Sequence, residues 1–155
     1  MHVWDIATET WFAQSTTAEA GLYPTDYTSS YCSVVASAED NSSHNIYLYI
    51  GGYETDGTRL FILTLPAFHW VLVYEPPEYD YRQATGAECL KIHEKHLVIY
   101  RGWSDNNICD YDKDSKRFQG ISIYDISSLT WATKVGLRNQ KYLVPVKLHA
   151  IIGGK

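Results

Sequence analysis

The amino-acid sequence predicts an all-β fold built from repeated four-stranded units. Of its 155 residues 45% are hydrophobic, and they include 13 Tyr and 5 Trp. Aromatic and β-branched side chains favour half-buried, pleated surfaces, so this composition favours strands. The 13 Lys and Arg against 18 Asp and Glu give a formal charge of −5. Because nothing supplies a basic stripe for a phosphate backbone, we expect no nucleic acid among its partners.

The first repeat marker is a tryptophan five positions after the end of a short alternating strand. Trp11, Trp70 and Trp131 share this position and recur about 60 residues apart. The four positions between strand and tryptophan are of turn type, which predicts a β-hairpin whose second strand opens on the tryptophan. Since the tryptophans recur, we expect all three to pack between neighbouring units.

The second marker is an apolar strand that ends in paired glycines. Glycine permits tight backbone turns where neighbouring strands crowd together. With a further strand candidate before each apolar strand, the unit contains four strands in about 50 to 60 residues, which is typical of a β-propeller blade. The paired positions are Gly51-Gly52, Arg101-Gly102 and Gly153-Gly154.

The pattern predicts a single, partial propeller domain over residues 1–155, with complete blades at 31–74 and 87–135. Residues 1–14 supply only the last two strands of a blade, and residues 142–152 only the first two. These half-blades are complementary, so we expect them to pair within one chain or across a homodimer that shares blades. Because both ends cut a blade in half without a capping unit, a fragment of a longer propeller is the preferred interpretation, and a six-bladed ring of two chains is the other. A fragment with no independent function is one of the alternatives for the function.

These repeats resemble Kelch repeats, the family that includes the central domain of galactose oxidase. The paired glycines, an aromatic residue before an acidic or polar one, and the later tryptophan carry the resemblance, which covers nearly the whole chain. Segments 41–47, 68–70 and 127–131 are most similar to Kelch-repeat proteins of filamentous fungi. Arg101 departs from the pattern, since it replaces the first glycine of its pair. The resemblance implies a secreted or cell-surface scaffold.

Galactose oxidase implies an alternative function, a copper oxidoreductase with Tyr and His ligands and a Cys bonded to a Tyr ring. No motif of this sequence transfers such a ligand. The acidic segment 105–114 lacks the turn glycine and the glutamate of a calcium loop. No nucleophile elbow, zinc-protease motif or phosphate-binding loop is present. We therefore expect no catalytic residue, no cofactor and no metal ligand.

The loops at one propeller face form the expected binding surface. In a blade, the connections from the second to the third strand and from the fourth strand to the next blade emerge on the same face. Exposed aromatic and arginine side chains are typical of interface hot spots. We therefore expect a non-catalytic scaffold that binds a protein or glycan partner through these loops. The candidate residues are Tyr53, Arg59, Tyr79, Tyr81, Arg82, Arg101, Trp103 and Tyr111.

No membrane span is expected in this chain, because no apolar run approaches the roughly 18 residues that a membrane helix needs. Residues 1–5 have neither the basic start nor the apolar stretch of a signal peptide.

Cysteine usage predicts buried or half-buried thiols. Cys32, Cys89 and Cys109 do not have the spacing of a metal site. A short acceptor pattern for N-glycosylation is also present, at Asn41-Ser42-Ser43.

Overall fold

The computed structural model describes residues 1–24, 30–51, 59–75, 87–100, 121–136 and 140–152. Strands dominate this part of the chain and form three separate sheets, which confirms the β-rich fold that the composition predicts. The strands are β1 (His2–Asp5), β2 (Thr10–Ala13), β3 (Thr17–Ala18), β4 (Ser30–Ser37), β5 (His44–Gly51), β6 (Arg59–Leu65), β7 (His69–Tyr74), β8 (Glu88–Ile92), β9 (His96–Tyr100), β10 (Ile121–Asp125) and β11 (Thr130–Ala132). The described helices are a 3-10 turn at Glu19–Gly21 and α1 at Val146–Ile152.

Two of the sheets are antiparallel meanders with the same strand order. The first sheet runs β4-β5-β6-β7, with the short β3 added parallel to the outer edge of β7. The second sheet runs β8-β9-β10-β11. Because consecutive strands pair in each meander, short turns join β4 to β5, β6 to β7, β8 to β9 and β10 to β11 at one end of each sheet. We call this the turn end, and the opposite end the loop end.

One face of each sheet faces a shared hydrophobic core. In the first sheet, Tyr47 and Tyr49 alternate along β5, and Tyr47 lies opposite Ile62 of β6. In the second sheet, Leu97 of β9 lies opposite Tyr124 of β10. All five side chains are buried in one cluster. Since successive side chains of a strand point to opposite faces, each sheet has a second face directed away from this core.

A disulfide joins the two sheets at their first strands. Cys32 of β4 and Cys89 of β8 are bonded, with their Cα atoms 5.4 Å apart. The Lys91 ammonium also donates a hydrogen bond to the Val35 carbonyl, at 2.6 Å. The prediction of buried or half-buried thiols therefore does not hold for Cys32 and Cys89, because sheet packing brings these two cysteines, which are distant in sequence, together in a disulfide. Cys109 lies outside the described residues.

A directed chain of hydrogen bonds crosses the same core. The Tyr47 hydroxyl donates to the Ile126 carbonyl at 2.8 Å, and it lies 2.9 Å from the Tyr142 hydroxyl. Asn45 Nδ2 donates to the Tyr142 hydroxyl at 3.0 Å. Since the Tyr47 proton is already engaged, Tyr142 donates to Tyr47. Burial raises the pKa of the Tyr47 hydroxyl far above its ordinary value, so the group stays protonated and remains a donor.

Replacing Tyr47 by phenylalanine is expected to lower the free energy of unfolding by about 1–3 kcal/mol, because the Ile126 carbonyl and the Tyr142 hydroxyl each lose a buried partner. Urea unfolding followed by tryptophan fluorescence measures the change. Tyr31→Phe is the matched control, since Tyr31 is an exposed tyrosine of the same sheet, and its effect should stay within about 0.5 kcal/mol. Equal stability of the two variants would contradict the role of the Tyr47 hydroxyl.

Residues 142–152 do not form the two strands that the sequence predicts. Tyr142 is buried, residues 142–145 have no regular structure, and α1 follows. Pro145 precedes the helix, and its carbonyl accepts a hydrogen bond from the Leu148 amide at 2.8 Å. Leu148 is fully buried and Ile151 packs against the core cluster, whereas Val146 is exposed. The buried positions are three apart, which is a helical and not a strand period.

The three hairpins predicted from the tryptophan spacing are present. In each, the tryptophan lies opposite the residue seven positions before it, in the pairs Trp4–Trp11, Leu63–Trp70 and Tyr124–Trp131. The residue two positions before each tryptophan has a positive φ, of 52° at Glu9, 51° at Phe68 and 57° at Leu129. The turn geometry is therefore repeated along with the tryptophan.

The three tryptophans differ in their surroundings. Trp131 lies between the sheets, with its ring centroid 5.1 Å from that of Tyr74 and 5.0 Å from that of Tyr124. Trp70 packs edge-on against Phe61 on the face of the first sheet that is directed away from the core. Trp11 is 66% exposed and contacts Trp4 within its own hairpin. Packing between units is thus wrong for Trp11, because β1 and β2 form a sheet of their own.

Of the paired glycines, Gly51 ends β5 and is buried. The remaining glycine positions lie outside the described residues, and they are Gly52, Gly102, Gly153 and Gly154.

Candidate binding surface

The loop end of the two sheets carries the described part of the expected binding surface. Arg59, the first residue of β6, is the one candidate that the structure describes. Its Nη2 lies 3.0 Å from Glu75 Oε1, and its Nε donates to the same oxygen at 3.2 Å. Both side chains are partly exposed, so the ion pair contributes at most about 1 kcal/mol to stability. The carboxylate of Glu75, the residue that follows β7, therefore holds the Arg59 side chain in place and neutralises its charge.

The other predicted binding residues belong to connections that the structure does not describe. They are Tyr53, Tyr79, Tyr81, Arg82, Arg101, Trp103 and Tyr111.

Two exposed tyrosines at the loop end were missed by sequence reasoning. Tyr31 of β4 is 69% exposed, and Tyr100, the last residue of β9, is 57% exposed. Tyr100 lies opposite Ile121, which is also exposed. A residue within a strand is expected to have a packed side chain, but near the first or last position of a strand a side chain has few neighbours. Both tyrosines lie next to a connection between strands, and this position in the sequence could have identified them.

The outward faces of both sheets are apolar and partly open. On the first sheet, Tyr31 and Val35 of β4 are exposed on the side opposite to Cys32. On the second, Leu90 is 61% exposed and shares a face with Tyr100 and Ile121. Clusters of exposed apolar side chains are typical of surfaces that another protein unit covers.

The β1–β2 hairpin is a repeat to which no further described strand is paired. The first strand of each of the other two hairpins, β6 or β10, also pairs on its other side with a further strand, β5 or β9. No described strand pairs with the corresponding side of β1. The effect on burial is large, since Ile126 is 0% exposed and Ile6, at the equivalent position, is 83% exposed. An isolated two-stranded hairpin is only marginally stable in water. This hairpin therefore presents an open strand edge and an apolar surface.

The turn end is polar and internally ion-paired. Lys95 Nζ lies 2.8 Å from Asp125 Oδ2, and Asp125 Oδ1 accepts hydrogen bonds from the amides of Ser127 and Ser128. Burial raises the pKa of Asp125, but the hydrogen bonds from Lys95 and these amides outweigh burial, and the net pKa is lowered. The Asp125 carboxylate therefore stabilises the fold at any pH above its unfolded pKa. This contribution is lost as the pH falls from the unfolded pKa through the lower pKa of the folded state.

Metal-binding and membrane-spanning features were sought in the same part of the chain. Among the described residues, no three His, Cys, Asp or Glu side chains lie close enough together to hold a metal ion. No described helix has the length and apolar character that crossing a membrane requires.

Comparison with known proteins yields one informative similarity. The chain matches no protein-family model. It is similar to a Kelch repeat-containing protein of the fungus Arthroderma benhamiae, with 28% identity in an alignment of 136 positions that covers 83% of this chain. The matched region is 19% of that protein, so this chain spans about a fifth of the relative's length.

Proposed function

We propose that this chain is part of a Kelch-type β-propeller and acts as a protein-interaction scaffold without catalysis. The first and second sheets are then consecutive blades, over residues 31–74 and 87–135. The similarity to a fungal Kelch repeat-containing protein supports this proposal, as do the equal strand orders and the repeated hairpin register. The relative is much longer than this chain, so the number of blades in the whole propeller is part of the proposal.

The outward faces, apart from Tyr31 and Tyr100 at their loop-end margin, and the open edge of β1 are covered, in this proposal, by further four-stranded sheets of the same kind. The shared core shows how one such sheet packs on the next. A homodimer that shares blades would need strands in residues 142–152, but the structure has the helix α1 there. For the homodimer we therefore propose that two copies stack through their outward faces.

The purified chain is expected to self-associate in a concentration-dependent way, with light scattering giving at least twice the 17.7 kDa chain mass. Leu90→Lys should weaken this association, because it places a charge on the apolar outward face of the second sheet. Val146→Lys is the matched control, since Val146 is also an exposed apolar residue but lies on α1. A monomer at all concentrations, or equal effects of both substitutions, would contradict stacking through this face.

The observation that carries the binding proposal is the pair of exposed tyrosines, Tyr31 and Tyr100, at the loop end. Tyrosine offers a large contact area at a low entropic cost and is enriched in hot spots. With the Arg59 charge neutralised by Glu75, the described part of this end presents mainly aromatic surface. The arrangement fits an uncharged or weakly acidic protein surface. A glycan that stacks on the tyrosine rings is the second partner class.

Two measurements test this function. A Tyr31→Ala/Tyr100→Ala variant should lose whatever protein or glycan the wild-type chain retains in crosslinking and glycan-array experiments, while keeping its unfolding midpoint. Binding that the double variant retains in full would place the surface elsewhere. Metal analysis tests the absence of catalysis, since stoichiometric copper together with alcohol oxidation would overturn the scaffold proposal in favour of an enzyme like galactose oxidase.

A further inference from the structure

The tip of the turn between β4 and β5 presents an asparagine amide to solvent. The Asn41 side chain is exposed, and its backbone amide donates to the Ala38 carbonyl at 2.9 Å. Its φ is 57°, a left-handed conformation that Asn adopts more readily than most other non-glycine residues. Asn41 begins the triplet Asn41-Ser42-Ser43, which fits the acceptor pattern for N-glycosylation. The folded turn thus leaves space for an attached oligosaccharide.

The third residue of the triplet has a hydroxyl group that the described fold does not use. Ser43 is 2% exposed, and its Oγ has no hydrogen-bond partner among the described residues. Its carbonyl, in contrast, accepts a hydrogen bond from the Ala38 amide at 2.9 Å. A buried hydroxyl without a partner costs about 1–3 kcal/mol. Packing therefore does not account for the hydroxyl at position 43, whereas the acceptor pattern requires one.

The disulfide between the sheets is an independent indication of the same compartment. Disulfides form and persist in the lumen of the endoplasmic reticulum and outside the cell. Asparagine-linked oligosaccharides belong to secreted and surface proteins. The Cys32–Cys89 bond joins two strands, whereas the acceptor triplet lies in a turn and involves different chemistry. Both nevertheless indicate passage through the secretory route.

We propose that Asn41 carries an N-linked oligosaccharide, attached before the β4–β5 turn closes. The amide nitrogen attacks the anomeric carbon of a lipid-pyrophosphate-linked oligosaccharide. The N–C bond forms as the C–O bond to phosphate breaks, the lipid pyrophosphate leaves with the electron pair, and one amide proton passes to a base of the transferase. Because Ser43 is buried once the turn has closed, the transferase acts on the extended chain. The oligosaccharide then stands at the turn end, away from the loop end.

The first experiment measures the modification on the chain purified from its own cells. Mass spectrometry of the peptide containing Asn41 should find an oligosaccharide, and peptide:N-glycosidase should remove it and leave an aspartate at position 41. An unmodified asparagine at this position in the purified chain would overturn the proposal.

The second experiment uses matched variants of the full chain, translated behind a cleavable secretory leader in the presence of microsomes. Wild type and Ser42→Ala, which keeps the pattern, should each gain one glycosidase-sensitive increment, and Asn41→Gln and Ser43→Ala should gain none. Because transfer precedes folding, a variant that folds poorly still reports. An increment that persists in Ser43→Ala would overturn the assignment of the site.

Two further measurements separate the transfer role of Ser43 from a structural one. Detergent-opened microsomes, whose transferase can reach the chain, should give no increment when they are added after folding. Equal modification before and after folding would overturn the proposed order. In the unmodified chain, Ser43→Ala should unfold at the same or a higher urea concentration than wild type. A lower midpoint would show that the hydroxyl serves the fold, and would overturn its assignment to glycosylation.

Discussion

A Cys32→Ser/Cys89→Ser chain is expected to lose about 4 kcal/mol of unfolding free energy. The two cysteines are 57 positions apart, and the disulfide restricts the unfolded chain by an amount that grows with the length of the closed loop. Denaturant unfolding of wild type with and without reductant, and of the double variant, measures the change. The double substitution prevents a leftover thiol from forming a new bond.

The reduced wild type and the double variant should unfold at the same denaturant concentration, well below that of the oxidised chain. Cys109→Ser is the control for loss of a cysteine as such, and we expect it to behave like wild type. If the oxidised chain, the reduced chain and the double variant all shared one midpoint, the Cys32–Cys89 bond would contribute nothing.

Trp131→Ala is expected to lower the unfolding free energy by about 3–5 kcal/mol, the range for removing a large packed aromatic side chain. Its ring contacts both Tyr74 and Tyr124, so the substitution opens a cavity between the two sheets. Trp11→Ala is an exact positional match in the repeat, but Trp11 is largely exposed, and its loss should cost less than about 1 kcal/mol. The difference between the two is read from urea unfolding curves.

If Trp11→Ala and Trp131→Ala lowered the unfolding free energy equally, the β1–β2 hairpin would have to pack against another part of the protein, as the second sheet does. Trp70→Ala should also lower the unfolding free energy, since Trp70 packs on Phe61. In this variant the lost contact lies on the outward face of the first sheet and not between the two sheets.

The sequence predicts the hairpins well because local interactions determine them. The tryptophan, the turn residues before it and the alternating strand all lie within about ten positions, where turn chemistry sets the register. Asp125 illustrates this, since its carboxylate binds amides only two and three positions later. Such features repeat along the chain wherever the local pattern repeats.

Features that depend on how the sheets meet could not be predicted in this way. The segment from Val146 to Ile152 has apolar residues at both strand and helix spacings, and short runs of this kind are ambiguous. Burial of Leu148 against the shared core decides for the helix. The Cys32–Cys89 pair likewise follows from the packing of β4 on β8, which no local pattern encodes.

Prediction of the binding surface was weaker, because it relied on loop residues alone. Tyr31 and Tyr100 belong to strands, and strand alternation says which face a side chain takes but not whether a neighbouring sheet covers that face. Their exposure follows from the outward faces of the two-sheet stack, which is a property of the tertiary arrangement.

The hydrogen-bond chain from Asn45 through Tyr142 and Tyr47 to Ile126 makes three distant parts of the chain one cooperative unit. Each hydroxyl gives its single proton in one direction, so the loss of any one link leaves a donor or an acceptor without its partner. Tyr142 binds two residues of β5, and Tyr47 of the same strand binds the Ile126 carbonyl that follows β10. Displacement of the C-terminal segment and separation of the two sheets therefore each leave a buried polar group of this hydrogen-bond chain without its partner. Amide hydrogen exchange in α1 should consequently follow the opening of the two sheets and not the fraying of an independent helix.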